Sequence, residues 1–131
     1  MSDEDVIRRA VAAWNEGGVD AFLEWVTDDI EWHHPTGFPE GDLWCGRDEL
    51  RSQLHDQFDA VFDAGTVEVE SITQVPRGWF VPIRHSVHAR TSQMDHAWQA
   101  WFLMTVSGER ISTNQVFLNR GQAEQAAGIG A

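Results

Sequence analysis

The hydrophobic pattern of this chain changes once, near residue 66, and that change restricts the folds it can adopt. Before this point, apolar residues recur at helical spacing and predict three helices, over residues 2–18, 19–29 and 46–65. After it, apolar and polar residues alternate and predict four strands, over residues 66–75, 79–90, 96–106 and 110–119. A short alternating segment at residues 30–34 predicts one more strand. We therefore expect an α+β fold, with three N-terminal helices packed on one face of a curved, mixed or antiparallel sheet.

The length of the chain and the absence of any repeat or linker predict a single domain over residues 1–131. The segment that begins "MSDEDVIRR" is acidic, and no apolar run approaches the roughly 18 residues that cross a bilayer. We therefore expect a cytoplasmic protein that does not enter a membrane. The lone Cys45 cannot form an internal disulfide, which agrees with a reducing compartment.

The charge of the chain limits both its partners and its chemistry. Its 21 acidic residues face nine basic ones, all arginine, for a net charge of −12, and such a surface repels the phosphates of nucleic acids. The chain has no lysine to form a Schiff base and no tyrosine to act as a phenolic acid. We expect a small-molecule partner, no nucleic acid and no cofactor.

The stretch "DDIEWHHPTG" places two histidines side by side at the predicted end of a strand. Because side chains alternate along a strand, Ile30, Trp32 and His34 share one face, and Glu31 and His33 share the other. The apolar pair marks the inward face, so the pattern predicts His34 in a pocket and His33 in solvent. A neutral imidazole suits general acid–base catalysis. The alternative is a histidine that only hydrogen-bonds within the pocket wall.

A second inward imidazole is predicted in "VPIRHSVHAR", where His85 alternates with Ile83 and Val87. Two inward histidines would serve as a base and an acid, or would share one water. A single buried histidine with only a packing role is the alternative. In both "HH" and "HSVH" the two rings point to opposite faces, so the sequence predicts no metal site.

A flat, apolar ligand is predicted between aromatic side chains, with neutral amides to orient it. The predicted catalytic residues are His34 and His85, and the predicted ligand-binding residues are Trp32, Trp44, Phe58, Gln99, Trp101 and Asn114. The loop at residues 35–46 carries Phe38, Leu43 and Trp44, and we expect it to form a lid with Trp44 turned inward.

The strand "HAWQAWFLMTV" is apolar on both faces. We expect Trp101 and Leu103 to face the pocket, which leaves Trp98, Phe102 and Met104 on the other side. A sheet face of that kind needs cover. The sequence therefore predicts a homodimer packed sheet to sheet, burying Trp98 and Phe102.

Three segments together resemble a known family: "WNEGGVDAFLEWVTDDIEWHHP", "GRDEL" and "ERISTNQVFLNRGQAEQAAG". Their order is similar to that of the nuclear transport factor 2-like fold, and within it to the SnoaL-like polyketide cyclases and ketosteroid isomerase-like proteins. The resemblance implies a cone of sheet and helices around a pocket, and homodimers are common in the family. It also implies isomerase, cyclase or dehydratase chemistry, although this fold hosts plain binding modules too.

The resemblance places the isomerases' proton-shuttling aspartate at His34, immediately before Pro35. The position of their oxyanion-hole aspartic acid falls on Trp101, and their tyrosine has no counterpart because the chain contains none. Steroid isomerisation is therefore not expected, and the Trp101 indole N–H and the Gln99 amide are the predicted neutral donors for a developing enolate. Two hypotheses remain: an enzyme that uses His34 and His85 as proton carriers on an aromatic, polyketide or terpenoid-like substrate, and a non-catalytic module that binds such a ligand or dimerises.

Overall fold

The computed structural model describes residues 1–34 and 43–129. Within these residues the elements follow in the order α1 (Asp3–Leu23), β1 (Val26–His33), β2 (Leu43–Cys45), α2 (Arg47–Leu54), a π-helical turn (His55–Asp59), β3 (Phe62–Val69), β4 (Thr73–Val75), β5 (Gly78–Ala89), β6 (Asp95–Ser107), β7 (Arg110–Phe117) and α3 (Arg120–Ala127). The α+β class predicted from the change of period is confirmed.

The strands form one open, mixed sheet. Its order is β2-β1-β7-β6-β5-β3, and β4 pairs with β5. The pair β1–β7 is parallel, and the other pairs are antiparallel. The longest pair is β5–β6, which stays in register from Trp79 opposite Met104 to His88 opposite Asp95. Directly opposed residues share a face, so this register decides which side chains meet on the inner side.

The prediction of three N-terminal helices is wrong. The first two predicted helices are one element, α1, which bends at Gly18 (φ 75°, ψ −153°) and ends at Leu23. Residues predicted to continue the helix instead begin β1, where Val26 pairs with Ile111 of β7. The predicted third helix ends at Asp59, because Phe62–Val69 pairs with β5. Strand pairing, which spans distant residues, overrides the local helical spacing in both places.

The start of α1 follows from its sequence. The Ser2 side chain accepts a hydrogen bond from the Asp5 backbone, the Asp5 carboxylate accepts one from the Ser2 backbone, and three acidic residues occupy the first turn. The helix buries one stripe of apolar side chains against the sheet: Val6, Ile7, Ala10, Val19, Phe22 and Leu23. These caps and this stripe fix both the start of α1 and its inward face.

Polar contacts hold α1 to its neighbours. Asn15 donates from Nδ2 to the Val67 carbonyl oxygen (2.9 Å) and accepts at Oδ1 from the Val67 backbone N–H (2.7 Å). Further along α1, Asp20 forms ion pairs with His55 Nε2 (3.1 Å) and with Arg51 Nε (3.3 Å). These contacts join α1 to β3 on one side and to α2 and the π-helical turn on the other.

The C-terminal helix α3 was not predicted. Asn119 caps its start by accepting from the Gln122 N–H (3.0 Å), and Gly128, at φ 78°, ends it in the left-handed conformation. The helix covers an apolar cluster on the outer face of the sheet, formed by Val75, Phe80, Trp101, Leu103, Ala123 and Ala127. No helix in the described part of the chain is long and apolar enough to span a membrane.

The two faces of β6 are the reverse of the sequence-based expectation. Trp101 and Leu103 lie on the outer face beneath α3, whereas Trp98, Phe102 and Met104 lie on the inner face, beside α1 and α2. Trp98 and Phe102 therefore belong to the protein's own interior, and the interface predicted for them is wrong. Alternation along the sequence shows that β6 has two apolar faces. Which face lies inside and which lies beneath α3 is decided only by the packing of the helices on the sheet.

We predict that Gly18→Ala lowers the free energy of unfolding by about 1–3 kcal/mol, because its backbone conformation is essentially restricted to glycine. Urea denaturation measures the change. Gly65→Ala is the matched control, since the added methyl would approach its neighbours no closer than 3.4 Å. Equal stabilities for Gly18→Ala and Gly65→Ala would contradict a strained bend at Gly18.

Candidate functional site

A cavity of about 510 Å³ lies between the inner face of the sheet and the helices α1 and α2. Its wall is mostly apolar and carries seven aromatic side chains: Trp14, Phe22, Trp32, Phe58, Phe62, Trp98 and Phe102. The polar residues in the described wall are His34, Gln57, His85 and Gln99. None of the described wall residues is acidic, and none is lysine or arginine. This volume and lining suit a small, uncharged and largely apolar molecule.

The wall is apolar and aromatic because the inward-facing side chains of the strands pack opposite the apolar side chains of α1. Trp14 and Phe22, eight residues apart on α1, are in edge-to-face contact (5.8 Å between ring centroids), and Phe22 makes a similar contact with Trp32 on β1 (5.9 Å). Neither Trp14 nor Phe22 was among the predicted ligand-binding residues. Both are large apolar residues of α1, but the non-helical Gly18 lies between them, so helical spacing alone does not place the two on one face.

His34 follows directly after β1 and lies in the cavity wall. Its ring centroid is 3.6 Å from that of Trp44. Ile30 and Trp32 are buried on the same face of the strand, as alternation requires. His33 points the other way: its side chain is 37% exposed and its Nε2 lies 3.8 Å from Glu31 Oε1. Only one of the two adjacent imidazoles is therefore positioned to meet a ligand.

His85 lies deeper, on β5, and is 6% exposed. Its ring lies between Phe58 (5.1 Å, stacked) and Trp98 (4.8 Å, tilted). Burial lowers the pKa of His85 to about 4, because the charged form loses its hydration there. Its Nε2 is buried and meets no hydrogen-bond partner among the described residues. His85 is therefore a neutral imidazole at pH 7 and not a source of protons as imidazolium.

The structure brings His34 and His85 to one cavity but at different ends of it. Their strands, β1 and β5, are separated in the sheet by β7 and β6. Three strand spacings amount to about 14 Å across the sheet. This arrangement favours contacts of the two rings with two ends of one ligand over a shared water.

The six residues predicted to bind a ligand do not all reach the cavity. Trp32 and Phe58 contribute to the wall. Gln99 also borders it, but it is opposite the exposed Arg84 of the outer face, and its amide donates to both carboxylate oxygens of Glu70 (3.2 and 3.1 Å). Trp101 lies on the opposite face of the sheet, so the structure does not bring it to the cavity. The Gln99 amide and the Trp101 indole were the predicted donors for a developing negative charge, and neither is placed for that role.

Trp44 and Asn114 are fully buried beside the described wall and not in it. Trp44 contacts His34, as stated above, and pairs with Trp32 across β2 and β1. Residues 35–42 of the predicted lid, including Phe38, lie outside the described residues, and Leu43 is 39% exposed. The inward position of Trp44 agrees with the expectation, whereas closure over the cavity stays a prediction.

Two other histidines are held by carboxylates away from the cavity. Hydrogen bonding to Asp20 raises the pKa of His55, which also contacts Asp59, and hydrogen bonding to Asp95 raises the pKa of His88. In the described part of the chain, no three histidine, cysteine or carboxylate side chains come close enough together to ligate a metal ion. Among the described histidines, then, only His34 and His85 combine an imidazole with an enclosed apolar space.

Comparison with known proteins adds a family and a fold. The sequence profile described as the SnoaL-like domain matches residues 7–114. No curated protein matches the sequence significantly.

Solved structures share the fold at low identity. A protein with a ketosteroid isomerase-like fold from Catenulispora acidiphila DSM 44928, in complex with trimethylamine, is 15% identical (TM-score 0.73; 98% of this chain, 95% of the other). TerC, co-crystallised with polyporic acid, is 12% identical (TM-score 0.74; 95% of each chain). A protein provisionally named a SnoaL-like polyketide cyclase, from Jannaschia sp. CCS1, is 15% identical (TM-score 0.71; 98% and 92%).

We predict that the His85 ring titrates near pH 4, well below its ordinary value of 6.5, in an NMR pH titration. The unfolded chain binds this proton near pH 6.5 and the folded chain only near pH 4, so acidification across that range favours unfolding. His85→Phe removes this contribution and flattens the fall in unfolding free energy between pH 6.5 and 4. A His85 midpoint between pH 6 and 7 would show that the ring is hydrated.

Proposed function

The chain belongs to the SnoaL-like domain family, and from that premise we propose that it is a small-molecule enzyme of the isomerase, cyclase or dehydratase type. Its substrate in this proposal is an uncharged aromatic or polyketide/terpenoid-like compound, and its chemistry is general acid–base catalysis. The observation that carries the proposal is the aromatic cavity of about 510 Å³ with His34 in a wall that holds no acidic, lysine or arginine side chain among its described residues.

The wall supports this substrate class on energetic grounds. Seven aromatic rings offer edges and faces to a flat molecule, whereas a charged ligand would lose its hydration without gaining a counter-charge. Two proteins of the same fold were crystallised with small organic molecules, trimethylamine and polyporic acid. Those ligands belong to those proteins, and they support only the general role of a pocket.

In the proposed reaction, His34 acts as the base. Its neutral imidazole takes a proton from a carbon next to a substrate carbonyl, and the electron pair moves onto the carbonyl oxygen. The same imidazolium then returns the proton to another carbon or to a leaving hydroxyl group. Because His34 accepts and returns one proton, no carboxylate is needed in the wall.

His85 is assigned a different role in the same reaction. Since its pKa is lowered to about 4, it enters as a neutral ring that donates one N–H and does not transfer a proton. Because His34 lies at the other end of the cavity, this N–H does not reach the carbonyl that the base activates, and it instead holds a carbonyl or hydroxyl group at the far end of the substrate. In this proposal His34 alone transfers the proton and His85 only donates a hydrogen bond, whereas the sequence predicted that the two histidines act as a base and an acid.

A non-catalytic binding module is the second candidate. The engagement of the Gln99 amide by Glu70 favours it, because a predicted donor to the reacting oxygen is already occupied. Both candidates require the cavity to bind an aromatic molecule. They differ in whether His34 changes the rate of proton transfer.

We predict that the protein accelerates exchange of the α-protons of 2-tetralone, an uncharged aromatic ketone, for deuterium in D₂O. His34→Ala should lower the catalysed rate by about 10²- to 10⁴-fold, the usual cost of losing a general base. His33→Ala, the matched control one residue away and outside the cavity, should leave the rate within a factor of two. Proton NMR of the ketone measures the exchange directly.

The outcomes of this assay separate the two candidates. Binding of 2-tetralone without accelerated exchange, or equal rates for the two variants, would overturn the catalytic role and leave a binding module. Failure to bind any uncharged aromatic compound would overturn both.

We also propose that the protein is a homodimer. Because Trp98 and Phe102 lie on the inner face, the proposed interface is the outer face of the sheet. On that face Arg84, Ser86 and Ala97 are exposed, next to the part that α3 covers. We predict a mass about twice the 14.8 kDa of one chain by light scattering at micromolar concentration. A mass equal to that of one chain would contradict the dimer.

A further inference from the structure

We propose that Asn114 binds a neutral hydroxyl or carbonyl group of the ligand from behind the cavity wall, next to Trp32 and Met104. This inference rests on the proposed function, because it assumes that an aromatic molecule occupies the cavity. Asn114 lies on β7 and pairs directly with Trp32 of β1 and Met104 of β6. Both partners belong to the cavity wall, and so does Val116, two residues further along the same strand. Since opposed residues share a face, the Asn114 side chain lies on the cavity side of the sheet.

Its environment is unusual for an amide. Asn114 is fully buried, and neither its Oδ1 nor its Nδ2 meets a hydrogen-bond partner within the described part of the chain. Buried polar groups of native proteins are almost always paired, so each exception needs an explanation. A leucine of similar volume would fill the same space without that cost. A group that destabilises the fold without any structural gain is typical of a functional site.

The chemistry of the amide indicates what it binds. It offers one acceptor and two donor hydrogens and carries no charge. A hydroxyl group satisfies both kinds of site, and a carbonyl satisfies the donors. A carboxylate or an ammonium group would need a counter-charge, and the described wall contains none. The ligand class is therefore narrowed to a neutral phenol, enol, alcohol or ketone.

Access to the amide requires a local change, because Asn114 lies behind the described wall. Trp32 is held by Phe22 in an edge-to-face contact (5.9 Å), whereas Met104 is unbranched and has three rotatable bonds. A change of the Met104 rotamer is the least disruptive opening. It exposes the amide only to a molecule that already fills the cavity.

The test compares two probes that differ in one hydroxyl group, 2-naphthol and naphthalene. Isothermal titration calorimetry, with the probe in the cell, gives each dissociation constant for the wild type, Asn114→Leu and Gln115→Leu. The loss of one neutral hydrogen bond weakens binding by about 3- to 10-fold. We expect that loss for 2-naphthol with Asn114→Leu, and a change below twofold for naphthalene. Gln115 is exposed on the opposite face of β7, and its variant should bind both probes like the wild type.

Thermal unfolding separates a ligand role from a structural one. Asn114→Leu should melt at the same temperature as the wild type or above it, because it removes an unpaired buried amide. A lower melting temperature together with equal losses for both probes would overturn the inference and make Asn114 a structural residue. Unchanged binding of 2-naphthol would overturn it as well. Should Asn114→Leu fail to fold, Asn114→Ala removes the amide without adding bulk, and the same selective loss is expected.

The two proposals fail in different ways. A wild type that binds neither probe overturns the proposed function and this inference together. A wild type that binds both probes, with Asn114→Leu unchanged, overturns only the inference.

Discussion

Two hydrogen bonds between the Asn15 side chain and the backbone of Val67 fix how α1 lies over the sheet. Both residues sit at the edge of the cavity: Trp14, next to Asn15, and Val67 itself belong to its wall. The bend at Gly18 then redirects the helix so that Phe22 reaches Trp32 on the far side. The helix is therefore attached to β3 before the bend and packed on β1 after it, and residues at both places line the cavity.

The charges of the protein are separated from this space. Its 21 acidic and nine basic residues leave a strongly negative molecule, yet none of these charged side chains belongs to the described wall. The histidines follow the same division. Carboxylates raise the pKa of His55 and His88 outside, whereas burial lowers that of His85 inside. One residue type thus serves as an ion-pair partner on the surface and as a neutral hydrogen-bonding group in the interior.

Membership of the family identifies the fold but does not identify the reaction, because proteins of one fold catalyse several different reactions. In this chain, the proposed reaction is based on a few polar groups in or behind an apolar cavity wall. His34 offers a base next to Trp44, His85 offers a neutral donor at the other end, and Asn114 offers an unpaired amide behind the wall. The buried His85 Nε2 and the Asn114 amide are costly to bury without a partner among the described residues, and His34 and His85 sit where a bound molecule would meet them. The proposed chemistry therefore follows from the positions of these groups and not from the fold alone.

The sequence by itself determined the α+β class, the main strands and the inward position of His34. These features depend on local periodicity: Ile30, Trp32 and His34 alternate with Glu31 and His33, and no distant contact is needed to read that pattern. The tertiary structure decided the rest. Strand pairing turned residues 26–29 and 62–65 from predicted helix into β1 and β3, and α3 covered the face of β6 that carries Trp101. A strand with two apolar faces does not specify which one looks into a cavity, because that choice is made by helices that lie far away along the chain.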